Sequence, residues 1–238
     1  MTMSTVSRQL AFDLPHRPHF NRADFLVAEA NQAAMAGLDR FGIAGTAIAV
    51  VGPAGCGKTH LAHIWASRTG ARWITPAALA AALPELADLP PTAIVFDAAD
   101  AAMGDHDAEA ALFHLLNLTR QQGGALLLTG RQPPSRWSVL LPDLKSRLSA
   151  LETVTIGAPD EALLGAVLVK LFGDRQVTLG GEVISYLLPR MDRSLAFARD
   201  LVAAIDAEAL AGKRSITVPL VARVLAGLQE DKERSEGE

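Results

Sequence analysis

The stretch Gly52-Pro53-Ala54-Gly55-Cys56-Gly57-Lys58-Thr59 limits what this chain can fold into more than any other. It has the G-x-x-x-x-G-K-[ST] spacing of a phosphate-binding loop. Thr46–Val51 before it reads as a buried strand, and the residues from His60 onward have helical apolar spacing. The order matters chemically. Glycines let backbone N–H groups wrap a phosphate, and a following helix N-terminus favours negative charge there. Lys58 is expected to reach the terminal phosphates and the Thr59 hydroxyl to hold Mg²⁺. The chain therefore reads as a binder of a nucleoside di- or triphosphate, with ADP or ATP as the candidates and the loop residues and His60 as the contact set.

Half of the 238 residues are hydrophobic, enough for one large domain or two small ones. A net charge of −4 shows no basic excess to advertise nucleic-acid binding as the main task, although basic residues could still cluster on one face. The single cysteine, Cys56, excludes an intrachain disulfide and reads as a small filler of the loop. There is no apolar run long enough to span a bilayer and no signal-peptide core, so no membrane partner is expected and the protein should be cytoplasmic.

Residues 1–22 read as a flexible arm, polar except for the apolar cluster Gln9–Pro15. A helical pattern covers Asp24–Phe41. Strand-like apolar runs then follow at 46–51, 71–75, 92–96, 125–129 and 152–156, separated by helical stretches. This alternation predicts an α/β domain over 23–158, with a five-stranded parallel sheet between helices. After Pro159 only helices are expected, at Asp160–Phe172, Gly181–Pro189, Ser194–Ala211 and Val218–Leu228. They make a small all-helical domain over 159–229, followed by a charged, solvated end over 230–238.

Thr92–Asp97 is an apolar strand ending in an acid, which beside such a loop would hold the Mg²⁺ water shell with Thr59. The next position, where many nucleotide hydrolases carry a second acid, is Ala98; Asp100 is offset by two residues. Intrinsic hydrolysis should therefore be slow or absent. Ala125–Gly130 ends in a polar residue that could sense a γ-phosphate. Lys145 and Arg147 fall near the domain edge, where such residues are ordinarily just solvated. Arg193 begins a helix from which a guanidinium could grip phosphates. His60 and His63 lie on one helix face with no third metal ligand in sight.

These segments, in this order, resemble the DnaA-like AAA+ family, which includes the bacterial initiator DnaA and the shorter Hda proteins. The resemblance rests on Phe25–Gln32, Gly57–Leu61, Phe96-Asp97, Leu128–Gly130, Pro133-Pro134, Leu141–Leu148 and Met191–Arg193, and it covers about residues 9–228. It implies that Arg147 is an arginine finger acting on a nucleotide held by a neighbouring chain. It also makes Arg193 the sensor 2 arginine and places Thr129-Gly130 in the sensor 1 region. Phe25, Leu26, Val27 and Asn31 fall where the family builds its base-binding edge. Arg131 and Ala98 depart from the family pattern, and both weaken the case for self-catalysed hydrolysis.

A short arm followed by a AAA+ module is the Hda arrangement, and there the arm carries a peptide for the DNA polymerase III β sliding clamp. Gln9, Leu10, Phe12 and Leu14 have that form. On the residues alone, these side chains could equally fold back on the core. The resemblance implies a negative regulator of replication initiation that binds the clamp, meets DNA only through it, and promotes hydrolysis of DnaA-bound ATP. Such a protein would be nucleoid-associated through the replisome, and the sequence leaves a homodimer open. Two other readings remain: a helicase-loader ATPase of the DnaC or IstB type, and a clamp-tethered adaptor that does not promote hydrolysis.

Overall fold

A computed structural model describes residues 22–41, 46–88, 90–212 and 214–236. The expected clamp peptide lies outside them. Strands β1 (Thr46–Val51), β2 (Arg72–Ile74), β3 (Ala93–Phe96), β4 (Ala125–Gly130) and β5 (Glu152–Thr155) form one parallel sheet in the order β2-β3-β4-β1-β5. Each predicted apolar run holds a strand, because a strand covered on both faces needs apolar side chains at every position. Alternate residues face opposite layers. Ala49, Val51, Phe96, Leu126 and Leu128 pack toward α3 (Leu79–Ala87), α4 (His106–Gln122) and α5 (Pro142–Ser149). Ile48, Val50, Val95 and Leu127 pack toward α1 (Glu29–Arg40) and α2 (Lys58–Thr69).

The helix expected over Asp24–Phe41 is shorter. Arg22–Asp24 form a 3-10 turn, residues 25–28 are extended, and α1 begins only at Glu29. Asn31, 2% exposed, explains the break. Its side-chain oxygen accepts from the Ala28 N–H at 2.9 Å and its amide donates to the Leu26 carbonyl at 2.9 Å. A side chain that satisfies both backbone groups offers this segment an alternative to helix.

The helical part comprises α6 (Glu161–Gly173), α7 (Gly181–Leu187), α8 (Leu195–Gly212) and α9 (Val218–Glu236), around a core of Leu164, Leu168, Phe172, Leu201 and Val221. Asp160 caps α6 by accepting from the Leu163 N–H at 2.7 Å, as its sequence position suggests. The helix expected to end at Leu228 runs on as α9 to Glu236, and residues 230–234 along it are exposed. Gln229 and Lys232 explain the extension: the Gln229 amide donates to the Arg190 carbonyl at 2.9 Å, and Lys232 pairs with Asp192.

Candidate nucleotide site and a distant arginine

All five strands run the same way, so their carboxyl ends share one edge, where open α/β sheets bind ligands. The phosphate loop follows β1 at that edge, Asp97 follows β3, and Thr129-Gly130 ends β4. Gly57 caps α2 with a left-handed φ of 106°, which turns the chain so that the first N–H groups of the helix face outward. Gly55 is also left-handed, and any side chain there would strike the Ser194 hydroxyl. The Gly55 carbonyl accepts from the Leu195 N–H at 2.8 Å, so the start of α8 rests directly on the loop.

A cavity of about 880 Å³ opens between the loop and the helical part. That is ample for a nucleotide. From the loop and α2 it is lined by Gly55, Gly57, Lys58, Thr59 and His60. Gly52, Pro53, Ala54 and Cys56 are not in this lining: Gly52 and Cys56 are buried, and Pro53 and Ala54 are exposed. The Gly52 and Pro53 carbonyls each accept from the Lys58 ammonium at 2.8 Å. Lys58 is thus folded over its own loop. Cys56 is buried, and burial pushes its thiol up against the opposing pull of Lys58. An inert filler fits that environment.

The donor set suits a nucleoside polyphosphate with Mg²⁺. Thr59 Oγ1 stands 3.5 Å from Asp97 Oδ2, an opening a hydrated cation could bridge. Bound there, the ion would neutralise phosphate charge, with Thr59 and Asp97 as its protein anchors. Asp97 Oδ1 accepts from Thr129 Oγ1 at 2.6 Å, and that hydroxyl accepts from the Ala98 N–H at 2.8 Å. Ala98 adopts φ 53°, a left-handed conformation that turns the chain sharply after the acid. Asp100 accepts from the Arg131 N–H at 2.8 Å, so one of its oxygens braces the loop after β4.

Phe25 and Leu26 line the cavity along the extended segment that Asn31 fixes, and Phe25 meets His60 edge-on at 5.2 Å. Val27 is not in the lining and is 49% exposed. His63 stacks on Trp73 at 4.1 Å, and burial lowers its pKa against the opposing charge of Asp97. Among the described residues no group of three or more His, Cys, Asp or Glu could hold a metal on its own.

Arg193 departs from expectation. It pairs with Glu161 at 3.4 Å on the surface and is not among the cavity residues. The cation that α8 brings to the cavity is Arg199, on one face with Ala196, Asp200 and Ala203. Helical side chains lean toward the helix N-terminus, which here is the phosphate loop. The spacing 196, 199, 200, 203 is a helix-face signal that sequence reading passes over in an alanine-rich helix. Lys170 of α6 is the other missed residue. It pairs with Asp174 and, across the cleft, with Asp24, each at 2.7 Å. Burial alone would lower its pKa, but the two carboxylates outweigh that and raise it.

Arg147 lies elsewhere. It lines a notch of about 220 Å³ with Thr46 and Ala47, which begin β1, and with Leu151, just ahead of β5. That is the amino-terminal edge of the sheet, whereas the phosphate loop is at the carboxyl edge. The intervening β1 is about 17 Å long at roughly 3.3 Å per residue. The Arg147 guanidinium is half-buried, 4.8 Å above the Phe113 ring. The approach to α5 is fixed by Glu109, a fully buried carboxylate on α4. It accepts from the N–H groups of Gly104 (2.9 Å), Leu140 (2.9 Å) and Leu141 (2.8 Å).

Residues 165–225 match the family model described as "Hda, lid domain". The chain superimposes over most of its length on domain III of the Thermotoga maritima replication initiation protein DnaA, with a TM-score of 0.76. That match has 17% identity and covers 89% of this chain and 97% of that one. AMPPCP-bound DnaA from Aquifex aeolicus gives 0.66 at 20% identity, covering 82% and 67%. A Thermotoga maritima RuvB point mutant gives 0.67 at 16% identity, covering 85% and 70%. A curated Haemophilus influenzae protein, described as uncharacterized, is 29% identical over 133 residues, 56% of this chain and 58% of that relative. No helix among the described residues is long and apolar enough to cross a membrane.

Proposed function

We propose that this chain, a Hda/DnaA-like AAA+ protein by its lid and its fold, is a nucleotide-bound regulator of DnaA. Its own ADP or ATP, with Mg²⁺, sits between the phosphate loop and α8 and holds the two parts of the chain together. Arg147 is presented to the γ-phosphate of ATP held by DnaA, where a guanidinium stabilises charge developing in the transition state. The arm, through Gln9, Leu10, Phe12 and Leu14, tethers the protein to the sliding clamp, and so to DNA and the replisome. Initiation is thereby restrained.

One observation carries this reading: Arg147 and the phosphate loop occupy opposite edges of one sheet. With the length of β1 between them, Arg147 cannot serve its own nucleotide, yet it is half-exposed and stacked on an aromatic ring. Slow intrinsic hydrolysis also fits, since Ala98 has no polar side chain and Asp100 is engaged at Arg131. The deciding assay follows hydrolysis of DnaA-bound ATP with DNA-loaded clamp and this protein. Wild type should stimulate only when all components are present. Arg147→Ala should lose at least about a thousandfold, the low side of what arginine fingers supply, with clamp and ADP binding intact. Full stimulation by Arg147→Ala would exclude the finger.

A further inference from the structure

The notch beside Arg147 holds a second guanidinium-bearing side chain. Arg120, in the last turn of α4, lines the same 220 Å³ space, together with Thr46, Ala47, Leu116 and Leu151. Glu109, Phe113, Leu116 and Arg120 fall at i, i+4, i+7 and i+11 on α4, a single helix stripe. Each contributes differently along that stripe. Glu109 anchors the backbone leading into α5, Phe113 lies under the Arg147 guanidinium, and Arg120 closes the far end.

Among the described residues, no ion pair involves either arginine, although eight other lysine– or arginine–carboxylate pairs are formed. Thr119, also in the lining, donates its hydroxyl to the Leu115 carbonyl at 2.8 Å and is already used. The remaining walls are largely aliphatic. Two like charges sharing a small, partly apolar concavity repel one another and focus a positive field there. An anion entering the notch relieves that repulsion. A tetrahedral oxyanion with several acceptors fits, since two guanidinium forks can each donate in pairs.

We infer that Arg120 and Arg147 together form a two-arginine phosphate clamp for the nucleoside triphosphate of a different AAA+ chain. The inference rests on the trans-acting role proposed for Arg147 and adds a second residue to that site. A plainer role exists for Arg120, as a cation favouring the carboxyl end of α4. That role predicts altered stability and no change in the partner's hydrolysis rate.

The test uses the full chain in the DnaA-ATP hydrolysis assay with DNA-loaded clamp, comparing wild type, Arg120→Ala, Arg120→Lys, Arg120→Glu and Arg147→Ala. Thermal unfolding and ADP affinity are measured on each. Arg120→Ala should lower the stimulated rate about tenfold, the effect of losing one charged hydrogen bond. Arg120→Lys should recover most of it, and Arg120→Glu should fall below Arg120→Ala, with ADP affinity unchanged throughout. If Arg147→Ala abolishes stimulation while Arg120→Ala and Arg120→Glu match wild type, the clamp is refuted and the finger survives. If Arg147→Ala itself stimulates fully, both fail. An equal Arg120→Ala defect in ATP turnover by this chain alone would make the occupant a second copy, overturning the assignment to a different chain. Should Arg120→Ala not fold, Arg120→Lys and Arg120→Gln carry the comparison.

Discussion

Replacing Glu109 with alanine removes one buried carboxylate and leaves three backbone N–H groups, on Gly104, Leu140 and Leu141, without their acceptor. Hydrogen bonds to charged groups contribute about 1.5–3 kcal/mol each, but three sharing one carboxylate are not additive. Leu140 is 57% exposed, so water can reach part of the vacated space. The net loss is therefore about 3–5 kcal/mol, at or below the lower end of simple addition. For a chain of this size, that lowers Tm by roughly 6–20 °C. Glu109→Gln keeps the shape and one acceptor oxygen, and should cost about 1–2 kcal/mol. Tryptophan fluorescence is the assay of choice, because Trp65, Trp73 and Trp137 all lie in the α/β part and report its melting alone.

Protonation gives an independent check. Burial pushes the Glu109 pKa up, but the three N–H groups and the nearby His106 outweigh burial and hold it below the usual value. A depressed folded pKa means that the stabilisation is fully present above the unfolded value, about 4.3, and is lost as pH falls through the folded one. The Tm gap between wild type and Glu109→Gln should stay constant from about pH 5 to 8 and narrow below about pH 4. An alanine variant melting within about 2 °C of wild type at neutral pH would refute the reasoning, as would a gap that widens in acid.

Lys58→Ala should lose most of the ADP-induced rise in Tm, because the ammonium now resting on the Gly52 and Pro53 carbonyls is the group that would turn to the phosphates. Thermal shift across an ADP titration reads this directly, and an unchanged response would place the nucleotide elsewhere. Arg199→Ala should weaken ADP binding about tenfold by calorimetry. Arg193→Ala, which breaks only an exposed pair with Glu161, should change it less than twofold. The opposite ranking would restore Arg193 as the cavity cation.

The sheet was legible because its strands are covered on both faces. Runs such as Thr46–Val51 and Ala125–Gly130 need no periodicity to be recognised, only length and flanking glycines. The phosphate loop was legible for a different reason: its chemistry is carried by contiguous residues. What escaped was whatever depends on which partner a side chain meets in the fold, near or far along the chain. Glu109 looks like an ordinary acid in the first turn of a helix, yet it caps a loop 31 residues downstream. Asn31 sits inside a helical pattern and nonetheless sets where the helix begins. Arg193 matches a motif, but its partner Glu161 turns it outward, and Arg199, one face further along α8, lines the cavity instead.

This distribution of burial also makes the variants readable against one another. Removing Arg147 forfeits a stacking contact with Phe113 that is worth about 0.5–1 kcal/mol, so its Tm should hardly move. Arg120 is exposed, has no ion pair among the described residues and should be equally silent in stability. Glu109 alone should move both quantities, because it supports the α/β part and aims the helix that bears Arg147. A rate defect with an unchanged melting curve therefore points to a group that meets the partner's phosphate. A defect that scales with lost stability points to the scaffold beneath it. Reading the three substitutions together separates the chemistry of the notch from the rigidity of its frame, which no single variant could do.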